Sequence, residues 1–215
     1  KAIFATGLTH GVFQFESPGM KDMLVKFSPE TFEDFILLVA AYRPGPLDYI
    51  PEIIEQKWYM KDPQKYLTEH NGNKPKRSIT LNNAALEEIL APTYGCPIYQ
   101  EQIMRIFQEM AGYSLGGADI VRRYMSKKKV DKLAYEKKTF IYGDEARGIP
   151  GCMKKHGLTE READDLFEQM MPFAKYGFNK SHAADYAVIT VQTAFLKATY
   201  PVEYMAALLL IERDK

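Results

Sequence analysis

Residues 173–184 combine a glycine, several cations and a predicted helix start. Gly177 permits a tight or left-handed backbone, and Ser181 is a good N-cap for a helix that continues from Ala183. A helix N-terminus carries unpaired N–H groups and partial positive charge, so it favours an anion. Three side chains suited to an anion crowd the same point: Lys175, Lys180 and His182. The segment therefore indicates a phosphate site, although an ordinary capped surface helix with solvated side chains explains it equally well.

A second cationic segment lies within residues 118–142, for which the sequence predicts one long basic helix. At about 100° per residue, one side of that helix collects five polar side chains: Arg122, Arg123, Ser126, Lys127 and Lys129. The face has little acid to neutralise it, so a bound polyanion would relieve its repulsion. A charge run is usually a solvated face, but adjacent arginines after a Gly-Gly turn favour a phosphate-binding face.

The composition limits which classes of protein this can be. Lys and Arg total 28 of the 215 residues and Asp and Glu also total 28, so the formal net charge is zero. Because dedicated nucleic-acid-binding domains are usually basic, any such site must come from local clustering. Cys96 and Cys152 lack partners at metal-ligand spacing, which argues against a disulfide or zinc site and fits a reducing cytoplasm. No apolar run approaches the roughly 18 residues of a membrane span.

No catalytic constellation can be identified from the spacing. The four histidines form no metal-binding pattern, and no Ser/His/Asp or Cys/His set stands at an interpretable separation. The chain also lacks an Asp-x-Asp pair, the usual means of holding two Mg²⁺ ions for phosphoryl transfer. The sequence therefore predicts no catalytic residue and no metal ligand in this chain.

The elements that must position these residues are predicted to be mainly α-helical. Alternation of apolar and polar residues over 11–16 predicts a short strand near the N-terminus. Ser28 as N-cap and Pro29 at the first position predict the start of a buried helix. The other predicted helices are 20–26, 82–90, 100–111, 118–142, 159–171, 183–198 and 202–211. The polar stretch 61–80 predicts a mobile insertion or loop.

Ordered motifs over nearly the whole chain resemble one family. They are GVFQFES (11–17), YRPGPL (42–47), PTYG (92–95), YQEQIM (99–104), AGYSLGGAD (111–119), RR with KKK (122–129), YGFNKSHA (176–183) and YPVEYMAAL (200–208). The chain is similar, in this order of motifs, to the bacterial replicative DNA polymerase III alpha subunits, the C-family polymerases. Each motif alone is weak, and the series together is highly specific.

The resemblance implies an irregular multi-helix fingers domain that is entered from the palm. Residues 1–18 would be the end of the palm and residues 19–215 the fingers. The implied activity is DNA-templated addition of deoxynucleotides, with Mg²⁺ held by palm carboxylates. Because the family's Asp-x-Asp would precede Lys1, the fragment is expected to be inactive alone, and Asp22 is the only nearby candidate for the third palm carboxylate.

The resemblance also assigns roles to the cationic residues. The triphosphate of the incoming nucleotide would be gripped by Arg122, Arg123, Lys127 and Lys129. The same nucleotide or the templating pair would be contacted by Asn179, Lys180, Ser181 and His182. Residues 61–77 depart most from the family pattern, and a DNA-backbone contact through Lys74, Lys76 and Arg77 is inferred from their charge alone. Arg43 is interpreted as a structural pin, with a nucleotide contact as the alternative. The expected partners are primer–template DNA, deoxynucleoside triphosphates, the palm and thumb of the same subunit and the replicase holoenzyme, all in the cytoplasm and without a membrane.

Two hypotheses from other classes share the basic face. A helical module that binds nucleic-acid backbone without catalysis would show strong salt dependence and no preference for a triphosphate. A helical scaffold that docks acidic protein partners fits the zero net charge. Only the ordered motifs argue against both hypotheses.

Overall fold

A computed structural model of the chain describes residues 2–213. Thirteen α-helices run through these residues, and no β-strand occurs among them. The chain divides into two compact units, of which the first comprises Lys1–Tyr42 with Lys180–Lys215 and the second comprises Arg43–Asn179. The mainly helical class is as predicted. The division into palm and fingers at residue 18 stays a prediction.

The first unit is built around helices α3 and α12. Its helices are α1 (Ala2–Ala5), α2 (Pro18–Phe27), α3 (Phe32–Ala41), α12 (Lys180–Thr199) and α13 (Pro201–Arg213). The buried residues of α12 are small and recur every three or four positions: Ala183, Ala187, Thr190 and Ala194. Small side chains at this spacing let α12 pack closely on the apolar helix α3.

The predicted strand at residues 11–16 is wrong, because the backbone there forms two successive turns. The Val12 amide donates to the Thr9 carbonyl at 3.0 Å, and the Phe15 amide donates to the Val12 carbonyl at 3.0 Å. Gly11 and Gln14 have φ angles of 75° and 64°, which a strand does not use. Val12 and Phe15 are both fully buried although they lie three positions apart. Their burial follows the turn and not the alternation of a strand.

The N-cap of helix α3 is Thr31, three residues after the predicted cap Ser28. The Thr31 hydroxyl accepts from the Asp34 amide at 3.3 Å, and the buried Asp34 carboxylate accepts from the amides of Glu30 and Thr31 at 2.7 and 3.2 Å. This is a capping box, so it outcompetes a single serine cap. Ser28 instead ends α2 in the left-handed conformation, with φ of 49°.

The second unit contains the remaining helices. They are α4 (Ile50–Lys61), α5 (Pro63–Glu69), α6 (Ala84–Leu90), α7 (Gln100–Ile106), α8 (Leu115–Ser126), α9 (Val130–Tyr142), α10 (Gly151–His156) and α11 (Glu160–Tyr176). Helix α7 continues as a π-helical turn over Phe107–Ala111. The fully buried Phe107 ring lies 5.3 Å from that of Tyr113, 5.0 Å from Phe140 and 6.1 Å from Phe167. This aromatic cluster is the core beneath α8, α9 and α11.

The predicted long basic helix is wrong, because it is two helices, α8 and α9. Ser126 is the last residue of α8 and Val130 the first of α9, and Lys128 between them has φ of 49°. Helices α8 and α9 contact each other on either side of this break. The turn between the two helices is formed by Lys127, Lys128 and Lys129, and all three side chains are exposed to solvent.

Residues 61–80 are partly helical. Helix α5 occupies their first half, and the remainder is held to α4 through Glu52, whose carboxylate accepts from the Ser78 amide and hydroxyl, both at 2.6 Å. Ile79 beside it is fully buried. The mobility of the rest of this stretch stays a prediction.

No single helix within residues 2–213 is long and apolar enough to cross a membrane. Helices α12 and α13 meet the length and composition requirements only as a pair, which is bent by 119°.

Candidate functional site

Helix α8 presents the predicted arginine pair. The Ser114 hydroxyl caps its N-terminus by accepting from the Gly117 amide at 3.1 Å. Its buried side carries Ala118, Val121 and Met125, which recur every three or four residues. Packing of that side therefore directs Arg122 and Arg123, which lie between Val121 and Met125, away from the aromatic core.

One carboxylate holds both arginines of this helix. Asp119 Oδ1 accepts from Arg122 Nε at 3.0 Å and from Arg122 Nη2 at 2.8 Å, and Asp119 Oδ2 lies 2.7 Å from Arg123 Nη2. The Arg122 side chain is only 16% exposed, whereas that of Arg123 is 63% exposed. The expectation of little neutralising acid is therefore wrong at this point.

Asp119 orients the two guanidinium groups and relieves their mutual repulsion. Hydrogen bonds from Arg122 lower the pKa of the Asp119 carboxyl, and Arg123 adds to the effect. The carboxylate therefore stays ionised at neutral pH. Two guanidinium groups against one carboxylate leave a net positive charge, with Arg123 exposed to a ligand. The sequence carried the signal for Asp119, because acids three and four residues before an arginine lie on the same helix face.

The end of α8 is anchored to α11. The Ser126 hydroxyl lies 3.0 Å from the Arg122 carbonyl oxygen and 2.9 Å from the Ala174 carbonyl oxygen. Lys127 caps α8 and Lys129 precedes α9, and both side chains are exposed. The predicted wheel geometry therefore does not hold beyond Ser126, although both lysines remain close in sequence to the arginine pair.

The glycine turn before the second predicted site is extended and not left-handed. Gly177 has φ of −50° and ψ of 134°. A β-carbon there would meet Gln100 Cγ at 3.2 Å and the Gln100 backbone at 3.4 Å, so a larger residue would push Gln100 by a few tenths of an ångström. The Phe178 amide donates to the Ile98 carbonyl at 3.0 Å, and the Gln100 amide donates to the Phe178 carbonyl at 2.9 Å.

Three motifs that are distant in the sequence meet around Phe178. The Arg43 guanidinium carbon lies 3.6 Å from the centroid of the Phe178 ring, a cation–π contact. Asn179 Nδ2 donates to Glu101 Oε1 at 2.7 Å. The contact of Arg43 with Phe178 is structural, which agrees with the interpretation of Arg43 as a structural pin. Asn179 is oriented by Glu101, a partner that the sequence analysis did not identify.

Gly45→Ala is expected to disturb this cluster more than a glycine substitution elsewhere. Gly45 has φ of 104°, and a β-carbon there would lie 2.5 Å from Tyr176 Cγ, so the ring must move. We expect a loss of about 1–3 kcal/mol beyond the backbone strain, measured by hydrogen exchange of peptides covering 173–179. Gly72→Ala is the matched control, because Gly72 has φ of 80° with nothing within 4 Å. Equal effects of the two variants would contradict the role of this contact.

Helix α12 begins at Lys180, so the predicted N-cap role of Ser181 is wrong and Ser181 lies in the first turn. The Phe178 backbone is committed to Ile98 and Gln100, and the helix starts as soon as the chain leaves that pairing. Lys180 Nζ lies 2.9 Å from Glu33 Oε2. The His182 ring lies 4.5 Å from the Tyr186 ring in an edge-to-face arrangement.

The predicted nucleotide-binding residues are distributed over both units. Arg122, Arg123, Lys127 and Lys129 belong to the second unit together with Asn179, whereas Lys180, Ser181 and His182 belong to the first. The structure groups the arginines through Asp119 and orients Asn179 and Lys180 through separate acidic partners.

The three predicted DNA-backbone residues lie on the loop after α5. Lys74 and Lys76 are exposed, and Gln56 Nε2 donates to the Lys76 carbonyl at 2.9 Å. Arg77 Nη2 lies 2.6 Å from Glu87 Oε1. The two lysines are thus on the surface, and Arg77 is half-buried with an ion-pair partner.

Metal-ligating side chains are not clustered in the described part of the chain. Among residues 2–213, no three His, Cys, Asp or Glu side chains are grouped so that they could hold a metal ion. Asp22, the candidate for a third palm carboxylate, pairs with Lys26 at 2.8 Å on the surface of α2.

Comparisons with known proteins agree on one family. A family model described as the bacterial DNA polymerase III alpha subunit finger domain matches residues 1–148. The chain is 44% identical over 213 residues to DNA polymerase III subunit alpha of Thermus aquaticus, which covers 98% of this chain and 16% of the relative. The same-named protein of Deinococcus radiodurans is 43% identical over 215 residues, covering 98% of this chain and 14% of the relative. The chain thus spans about one sixth of the length of these curated relatives.

Proposed function

The chain belongs to the family of bacterial DNA polymerase III alpha subunit finger domains, and we propose that it binds the triphosphate of an incoming deoxynucleotide within a DNA-directed DNA polymerase. It would contribute binding and orientation, whereas Mg²⁺ and the catalytic carboxylates would be supplied by the palm outside this chain. Residues 1–18 would form the junction with that palm and residues 19–215 the fingers. The fragment alone would then be inactive.

The arginine pair on α8 is the observation that carries the proposal. Arg123 is largely exposed, and Asp119 holds its guanidinium in place before any ligand binds. A guanidinium presents a planar fork that matches phosphate oxygens, and prior orientation lowers the entropy lost on binding. Lys127 and Lys129 follow at the exposed end of the helix and would add point charges to the same triphosphate.

The start of α12 would serve the nucleotide or the templating pair. Lys180 supplies an ammonium and His182 a ring nitrogen, while the first turn of α12 offers backbone N–H groups. Asn179 precedes this turn, and Ser181 lies within it. Contacts of this kind would orient the phosphate for attack by the primer terminus.

The remaining surface would meet DNA and the rest of the replicase. Lys74 and Lys76 are exposed and would contact DNA phosphates, with Arg77 beside them. Partners would include primer–template DNA, the palm and thumb of the same subunit and the replicase holoenzyme, in the bacterial cytoplasm. The proposed function involves no contact with a membrane.

The proposal predicts that a matching nucleotide protects α8 from hydrogen exchange. The full-length polymerase would be held on a primer–template that ends in a dideoxynucleotide, so that the next nucleotide binds without reacting. Adding the matching triphosphate is expected to slow exchange by about tenfold in peptides covering 122–129 and 179–183, because bound phosphate occupies their donors. A mismatched triphosphate and peptides covering α5 serve as controls.

Protection of residues 122–129 by DNA alone, with no further change on adding the nucleotide, would contradict the proposal. That result would favour a module that binds nucleic-acid backbone without contacting the triphosphate. The exposed lysine run between α8 and α9 is the feature that would support such a module.

A further inference from the structure

A surface cleft of about 390 Å³ lies between α4, the loop 74–77 and the turn 91–95. Tyr59, Met60, Tyr94 and Gly95 are among its lining residues. The buried ring of Tyr66 lies 5.6 Å from that of Tyr59, edge to face, which holds the Tyr59 ring in place. The cleft is within the size range of ligand sites and has flat aromatic walls.

Two cationic side chains and one carboxylate line the cleft. Lys74 and Arg77 line it, and the buried Lys57 places Nζ 5.7 Å from the centroid of the Tyr94 ring. The only carboxylate among its lining residues is Glu87, which already pairs with Arg77 Nη2 at 2.6 Å. Arg77 Nε is buried and has no hydrogen-bond partner within residues 2–213. The exposed cation that a phosphate in this cleft can reach is therefore Lys74.

We propose that this cleft binds one unpaired nucleotide of single-stranded DNA, with its base between Tyr59 and Tyr94 and its phosphate at Lys74. Aromatic side chains stack on any base, and a neighbouring cationic track follows the backbone. The chain continues past the cleft as Lys74-Pro75-Lys76-Arg77, with both lysines exposed, which favours a strand over a free nucleotide. The inference rests on the proposed function, because a polymerase has an unpaired template strand to hold.

Binding of a fluorescent 12-residue oligothymidylate to the full-length polymerase tests the proposal. Tyr59→Leu keeps the apolar bulk and removes the aromatic face, so we expect about tenfold weaker binding. Lys74→Gln changes only an exposed side chain and is expected to reduce the slope of log affinity against log salt by about 0.7. Lys65→Gln on α5 is the control, because Lys65 is exposed and lies outside the cleft.

A crosslinking measurement locates the bound strand. Oligothymidylate carrying 4-thiothymidine is expected to crosslink to peptides containing Tyr59 or Tyr94 under long-wave ultraviolet light. Crosslinks confined to other regions, or unchanged affinity in both variants, would overturn the proposal.

These measurements use neither a primer nor a triphosphate. Absence of the crosslink therefore counts against the cleft alone, whereas unchanged nucleotide incorporation by α8 variants counts against the proposed function alone.

Discussion

Arg123→Ala in the full-length polymerase is expected to lower kcat/KM for the incoming nucleotide by about 2–4 kcal/mol, the scale of one lost charge-stabilising contact. The Arg123 guanidinium is exposed and already oriented by Asp119, so its removal deletes a ligand contact with little loss of packing. Arg122→Ala would be harder to interpret, because that side chain is largely buried and would leave a gap. The affinity for primer–template is expected to change little.

Single-nucleotide incorporation under pre-steady-state conditions measures this effect, with DNA affinity determined in parallel. Arg161→Ala is the matched control, because Arg161 is 92% exposed on α11 and forms only a 3.8 Å ion pair with Asp165. Normal incorporation combined with weaker, salt-sensitive DNA binding would show that the basic end of α8 binds the DNA backbone, and the nucleotide assignment would then be wrong.

Local patterns predicted most of the helices correctly. The capping box of α11, in which Thr159 pairs with Glu162, is visible in four residues of sequence. The apolar period of residues 100–111 likewise predicted α7, although not the π-helical turn at its end. Signals within one or two helical turns were therefore sufficient for these elements.

The errors arose where tertiary contacts decide the backbone. Lysine has good helix propensity, so nothing local ends the helix at Ser126. The break follows from the packing of α8 on α9, which brings together residues on either side of the turn. Residues 11–16 alternate in polarity but have no partner strand among the described residues, and Gly11 and Gln14 allow turns instead.

The candidate site was predicted in its residue types and not in its arrangement. The cations on α8 were identified from the sequence, and Asp119 was missed although its spacing placed it beside them. The contacts of Phe178 with Arg43 and of Asn179 with Glu101 join segments far apart in the chain. A single sequence contains no local signal for such pairs.

Glu136→Ala is expected to have the largest effect on stability in the second unit. The Glu136 side chain is 7% exposed, and its carboxylate accepts from Tyr113 Oη at 2.9 Å and from Arg147 Nη1 at 3.1 Å. Burial raises the pKa of the Tyr113 phenol, and the Glu136 carboxylate adds to the effect, so the phenol stays protonated and remains the donor. Removing the carboxylate leaves the half-buried Arg147 guanidinium with Asp144 at 4.0 Å and the Tyr113 hydroxyl with the Glu136 carbonyl oxygen at 3.2 Å. Losing the main partner of a mostly buried cation is expected to cost about 3 kcal/mol.

Hydrogen exchange of peptides covering 130–142 in the full-length polymerase measures this cost as faster opening of α9. Asp131→Ala on the same helix is the control, because Asp131 is exposed near the helix N-terminus. Its replacement is expected to lower the stability of α9 by about 1 kcal/mol or less. Glu136→Gln keeps an acceptor for Tyr113 and should fall between the two.

The double variant Glu136→Ala/Arg147→Met separates a lost attraction from an unpaired charge. If the cost of Glu136→Ala comes mainly from the guanidinium left without its carboxylate, replacing Arg147 by an apolar side chain should restore part of the protection. Additive losses in the double variant would instead mean that the two residues stabilise α9 independently. Because α9 packs on α8, restored protection in α9 should be accompanied by restored protection in α8, where the arginine pair lies.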